Sequence, residues 1–91
     1  MSFNITYHQD VKDIDLPKIN KDIKLRIKKA IEERLMSDPL KYGKPLRKSL
    51  KGYWKLRVGD YRVVYKIEGS NVIVLAIIHR KEVYNDVKSR L

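Results

Sequence analysis

An α+β domain is what the sequence predicts: an N-terminal strand and a helical hairpin packed on an antiparallel sheet, with a C-terminal helix. Three observations lead there. Apolar residues recur at helical spacing from Ile23 to Leu35. Two segments rich in aromatic and β-branched residues flank Gly59-Asp60, a two-residue connection whose glycine permits the positive φ of hairpin turns. The chain has 91 residues, 43% of them hydrophobic, which is enough for one core but not for two. Residues 1–91 are therefore expected to form a single domain.

Phe3, Ile5 and Tyr7 alternate with polar residues, the period of a half-buried first strand. Residues 9–16 are expected to form a short helix that buries Val11, Ile14 and Leu16 and stops where Pro17 cannot continue the hydrogen bonding. Asn20 is a suitable N-cap, with Asp22 in the first turn. Ile23, Ile27, Ala30, Ile31 and Leu35 then mark the inner face of a longer helix that Asp38 and Pro39 should end. Residues 40–52 carry Gly43, Pro45 and Gly52 and read as a connecting loop, with a turn of helix around 46–50. Residues 53–58, 61–68 and 71–78 form a three-strand antiparallel meander. Residues 72–78 are apolar at every position, so the third strand should be interior and covered on both faces. Val83, Val87 and Leu91 fall four apart, the spacing of a final helix over 82–91.

Composition narrows the function. There is no cysteine, which removes disulfide frameworks and thiolate metal sites and fits a reducing compartment. No segment reads as a secretion signal, and the longest apolar run is far too short for a membrane span. A soluble, cytoplasmic protein without membrane contact is expected. The formal net charge is +10, a field that favours polyanionic partners. Residues 44–91 hold 12 basic against 4 acidic side chains, whereas residues 1–43 hold 9 against 7. The excess belongs to the half expected to form sheet.

Alternation sharpens that point. Trp54, Leu56 and Val58 share one face of their strand with Tyr61, Val63, Tyr65 and Ile67 across the hairpin. The opposite face then collects Lys55, Arg57, Arg62 and Lys66, with Tyr53 beside them. Like charges opposed across strands cost up to about 1 kcal/mol, so the cluster reads either as a solvated surface or as an anion site. Interleaved tyrosines, Tyr53 and later Tyr84, favour nucleic acid, because bases stack on such rings. His79-Arg80-Lys81-Glu82-Val83-Tyr84 follows the interior strand and could bring polar groups to the same concavity. There is no Gly-rich phosphate loop, no His-Glu-x-x-His, no Gly-x-Ser-x-Gly and no acidic cluster suited to magnesium. Catalysis here is expected to use cations, with no metal and no cofactor.

The element order, the segment Leu50-Lys-Gly-Tyr-Trp-Lys-Leu-Arg-Val-Gly-Asp-Tyr-Arg-Val-Val-Tyr65 and the segment His79-Arg-Lys-Glu-Val-Tyr84 resemble the RelE toxins of the RelE/ParE superfamily. That resemblance implies a small endoribonuclease that enters the ribosomal A site, cuts mRNA and is neutralised by an acidic RelB-like antitoxin in a hetero-oligomer. It places catalytic cations on Lys55, Arg62 and Arg80 and a stacking tyrosine on Tyr84. Arg57, Lys66, Lys81 and Tyr53 are further candidates for contact with RNA. The RelE pattern has another lysine, its general base, where this chain has Tyr53. His79, with an unperturbed pKa of about 6.5, is a natural substitute. Lys55 is the other candidate for proton transfer. Rival readings are a ParE-like gyrase poison, an RNA-binding module that does not cleave, and a folded toxin that has lost activity.

Overall fold

A computed structural model describes residues 2–46, 52–82, 87 and 90. Its sheet has five strands: β1 (Asn4–Tyr7), β2 (Lys44–Pro45), β3 (Trp54–Val58), β4 (Tyr61–Glu68) and β5 (Asn71–His79). They lie side by side in the order β1-β5-β4-β3-β2. The expected meander is present in β3, β4 and β5, and two strands extend it. β1 runs parallel to β5, and the short β2 pairs antiparallel with the start of β3. Interior position explains the apolar run of β5: Val72 and residues 74–78 are all buried.

Helices cover one face of this sheet. Asn20 caps α1 (Lys21–Ala30), its side-chain oxygen accepting the Ile23 N–H at 2.9 Å. Past Ala30 the helix continues through a wider turn, Ile31–Leu35, in which the Met36 N–H donates to the Ile31 carbonyl. Ile27, Ala30, Ile31 and Leu35 are buried, as their spacing implied, against Leu56, Val63, Tyr65, Val72, Val74 and Ile77.

Three sequence expectations change. The segment after β1 passes from the wide turn Val11–Asp15 into a tight turn, Leu16–Lys18, so Pro17 does not end it. Proline is tolerated there because the first turn of a helix lacks acceptors for its N–H groups anyway. Ile14 is exposed, and the inward position belongs to Asp15. Residues 40–52 are not all loop. Asp38 caps α2 (Pro39–Tyr42), accepting the Lys41 N–H, and Lys44–Pro45 then forms the edge strand. The turn proposed around 46–50 and most of the C-terminal helix lie outside the described residues.

Asp15 has a structural task. β1 accompanies β5 only as far as Val74, which leaves the second half of β5 without a strand neighbour on that side. The Asp15 carboxylate accepts the Ile77 N–H at 2.9 Å, and Arg90 donates to the Leu75 carbonyl at 3.0 Å. Arg90 and Asp15 also meet in a two-pronged pair of 2.7 and 2.9 Å, with both side chains over 90% buried. Side chains thus replace the missing ladder, and they tie the end of the chain to its beginning.

A smaller core lies on the other face, where Leu46, Val64, Ala76, Ile78 and Val87 are buried and Tyr53 packs against them. Among the described residues, no helix is long and apolar enough to cross a membrane.

Candidate anion site on the open face of the sheet

The β3–β4 register sets the site. Arg57 stands opposite Arg62, Lys55 opposite Val64, and Lys44 of β2 opposite Lys55. Lys55, Arg57 and Arg62 occupy the face away from α1, as alternation predicted, and Lys44 joins them from β2. Together with Arg34 and Tyr42 they line a cavity of about 250 Å³, and no carboxylate is among its described lining residues. Lys55 and Arg62 are half-buried, while Lys44, Arg57, Arg34 and Tyr42 are exposed. Five cationic side chains around one concavity repel each other, and the arrangement is relieved when an anion enters.

Tyr42 and Lys44 reach the cavity through a specific local device. The buried Tyr65 hydroxyl donates to the Pro39 carbonyl at 2.6 Å. It also lies so close to Gly43 that a Cβ there would collide with it. The short helix is thereby clamped to the sheet, and the residues on either side of Gly43 flank the cation cluster. Burial pushes the Tyr65 phenol well above its ordinary pKa, so it is a hydrogen-bond donor at any ordinary pH.

Not every residue singled out from the sequence is in this group. Lys66 is farther along β4 and bonds Glu68 at 2.7 Å, a hydrogen bond that raises its pKa. Tyr53 is half-buried against the smaller core. Arg80 and Lys81 are exposed just past β5, where Arg80 faces Asp60 at 3.7 Å and its N–H donates to the Asp60 carbonyl. Tyr84 lies outside the described residues.

His79 is the main departure. It pairs with Tyr61, and the two rings meet edge to face at 5.3 Å on the helix-covered side. With Arg26, Gly59 and Asp60 they border a separate cavity of about 240 Å³. Its Nδ1 accepts the Lys81 N–H at 3.2 Å. The cause is a β-bulge. Val64 pairs with Ala76 but Tyr65 with Val74, so Leu75 is an extra residue and the facing of β5 reverses there. Counted from Val72 and Val74 without interruption, His79 would share the face of Arg62; the bulge sends it to the other side.

Sequence reasoning missed Arg34, Tyr42 and Lys44. Lys44 could have been found, since the alternating Lys44-Pro45 after Gly43 is a plausible edge strand. Arg34 had no signal, because its distance from β3 exists only once the helix has docked.

The chain was compared with known proteins. The model of the family described as "ParE toxin of type II toxin-antitoxin system, parDE" matches residues 6–84. The toxin RelE3 of Methanocaldococcus jannaschii is 36% identical over 74 residues, 78% of this chain and 84% of that protein. The toxin RelG of Mycobacterium tuberculosis is 42% identical over 52 residues, and the match spans 60% of its length and 55% of this chain. Among solved structures, a chain of the toxin–antitoxin complex RelBE2 from Mycobacterium tuberculosis superposes with a TM-score of 0.81 at 28% identity, covering 90% of this chain and 95% of that one.

Proposed function

Because the chain belongs to the ParE-toxin family of type II toxin–antitoxin systems, we propose that it is the toxin of such a pair and acts as a metal-free endoribonuclease on mRNA in the ribosomal A site. One observation carries this reading: Lys44, Lys55, Arg57, Arg62 and Arg34 converge on a single cavity that, among the described residues, no carboxylate lines.

The reaction is attack by a ribose 2′-OH on its own 3′ phosphodiester. The bond to the 5′ oxygen breaks, leaving a 2′,3′-cyclic phosphate and a 5′-OH, so no water is consumed. Negative charge grows on the phosphorus oxygens, and Arg62 and Arg57, opposed across the hairpin, are placed to stabilise it. One well-aimed donor of this kind is commonly worth a factor of about 10²–10³ in rate. Guanidinium groups do not give up protons in proteins, so proton transfer falls to Lys55, at the centre of the group between Lys44 and the arginine pair. His79, on the opposite face, takes no part. The resemblance gives Arg80 and Tyr84 the roles of positioning the phosphate and stacking a base; Arg80 itself stands outside this cavity, facing Asp60 at 3.7 Å.

The partner follows from the same charge. The similar solved structure is a toxin–antitoxin complex, and this chain is expected to bind an acidic, RelB-like antitoxin that covers the cationic face in a hetero-oligomer. Salt should slow their encounter.

Primer-extension mapping on programmed ribosomes tests the assignment. Arg62→Ala and Lys55→Ala should each lower cleavage at least 100-fold, by about the worth of one well-aimed donor, and His79→Ala should leave it within a few-fold of the parent. Full cutting by Arg62→Ala would remove the basis for the proposal. The matching family's description as ParE favours a second reading, inhibition of DNA gyrase. A supercoiling assay separates the two, and gyrase inhibition without mRNA cleavage would decide for it.

A further inference from the structure

A second cavity, of about 320 Å³, lies on the other side of Arg57, between α1 with its continuation and the β3–β4 turn. It exists because β2 pairs only with Trp54 and Lys55, so the rest of β3 faces the helix instead of another strand. Arg34 and Arg57 line both cavities, and Arg26 and Lys29 line the second alone. Arg26 brings its guanidinium to within 3.8 Å of where a side chain on Gly59 would begin. Arg57 donates from Nε to the Gly59 carbonyl at 3.4 Å. Both arginines therefore converge on the turn. Glu33 is the one carboxylate among the described lining residues, and it pairs with Lys29 at 3.9 Å on the same helix. The guanidinium groups of Arg26 and Arg34 have no hydrogen bond or ion pair among the described residues.

We infer that this second cavity is a phosphate subsite for the RNA strand held at Lys55 and Arg62, with Arg34 and Arg57 carrying the backbone from one cavity to the next and Arg26 as its principal contact. The inference rests on the nuclease reading of the first cavity and extends its footprint from the sheet onto α1. A phosphodiester chain suits the surface better than an acidic peptide does. Four of the eight described lining residues are cationic and only Ala30 and Val58 among them offer an apolar side chain to a peptide, while planar guanidinium forks match phosphate oxygens. Contacts to phosphate carry no sequence information, so binding there sets the register of the strand without selecting its sequence. Arg26 is a positioning residue for cleavage.

The test measures binding of a short 2′-O-methylated single-stranded RNA, which cannot be cut, at a series of KCl concentrations. For single strands, each phosphate that the protein neutralises contributes about 0.7 to the slope of log K against log salt. Arg26→Gln should lower the slope by that amount and weaken binding several-fold. Arg26→Lys, which keeps the charge, should restore the slope. Lys21→Gln on the same helix, which borders a different cavity beside Leu16 and Leu25, should leave the slope at the parent value. In ribosome-programmed cleavage, Arg26→Gln should raise KM and spare kcat. An unchanged slope in Arg26→Gln, or an equal fall in Lys21→Gln, overturns the inference, as does a variant that loses antitoxin binding while keeping the parent RNA slope. Failure of the nuclease reading shows separately, as full cleavage by Arg62→Ala.

Discussion

Two regions of one sheet treat charge in opposite ways. Along the open edge of β5, the charge that is buried is matched at once: Arg90 and Asp15, each under 10% exposed, share two short hydrogen bonds and cap that stretch. On the open face, Lys55, Arg57 and Arg62 adjoin Lys44 and Arg34 with no carboxylate among the described residues of the cavity they line. Charges that serve the fold are compensated within a few ångströms, because an unmatched buried ion costs several kcal/mol. The cations of the open face share a concavity with no carboxylate among its described lining residues, and the water they face tolerates them until a polyanion arrives. The contrast separates residues that hold the structure from residues that use it.

The largest expected effect is on the compensated side. Asp15→Ala takes the two-pronged partner from the buried Arg90, which keeps Asp10 at 3.5 Å, and takes the Asp15 acceptor from the Ile77 N–H, and should cost about 3 kcal/mol of stability in urea unfolding. Asp15→Asn, which can still accept that N–H, should cost less. A loss under about 1 kcal/mol for the alanine variant would mean that the pair is not a structural element, and the comparison would break. Arg62→Ala is the counterpart: cleavage falls by roughly 10²–10³, while stability should change by less than in Asp15→Ala.

How far the sequence revealed all this depends on the range of the interactions. The hairpin turn at Gly59, where φ is +59°, the cap by Asn20 and the inner face of α1 are local, set by neighbours a few residues apart, and each reads directly from the chain. The cation cluster was legible for the same reason, since a two-residue turn fixes which side chains share a face. Asp15 and Arg90 are 75 residues apart, and a lone aspartate in a short helical segment carries no sign of a buried partner. His79 illustrates the limit most clearly. One extra residue at Leu75 reverses the facing of the strand, and an unbroken apolar run gives no clue to where a bulge sits. The side of the sheet on which His79 lies is thus decided by packing, at a position where every local choice looks alike.

The clamp between Tyr65 and the segment 39–43 offers a finer test, because it belongs to the core yet shapes the cavity. Gly43→Ala places a methyl group against the Tyr65 hydroxyl and should cost about 1–3 kcal/mol as the buried ring is displaced. Cleavage should fall as well, since Tyr42 and Lys44 move with it. If stability drops and cleavage does not, those two residues line the cavity without contributing to it.

Tyr65→Phe removes only the hydroxyl and its bond to the Pro39 carbonyl, a loss of about 1–2 kcal/mol near neutral pH. Its sharper signature is in alkali. Burial holds the folded-state pKa of Tyr65 above the unfolded value of 10.0, so the stabilisation is complete below that pH and is lost progressively as pH rises beyond it. Tyr7, raised by burial and then by Glu32, adds to the same decline. The parent should therefore lose stability more steeply above about pH 10 than Tyr65→Phe does, and the two curves should converge. Parallel curves would mean that water reaches the phenol in the native state. The clamp would then be a surface contact, and the cavity would owe its shape to β2 alone.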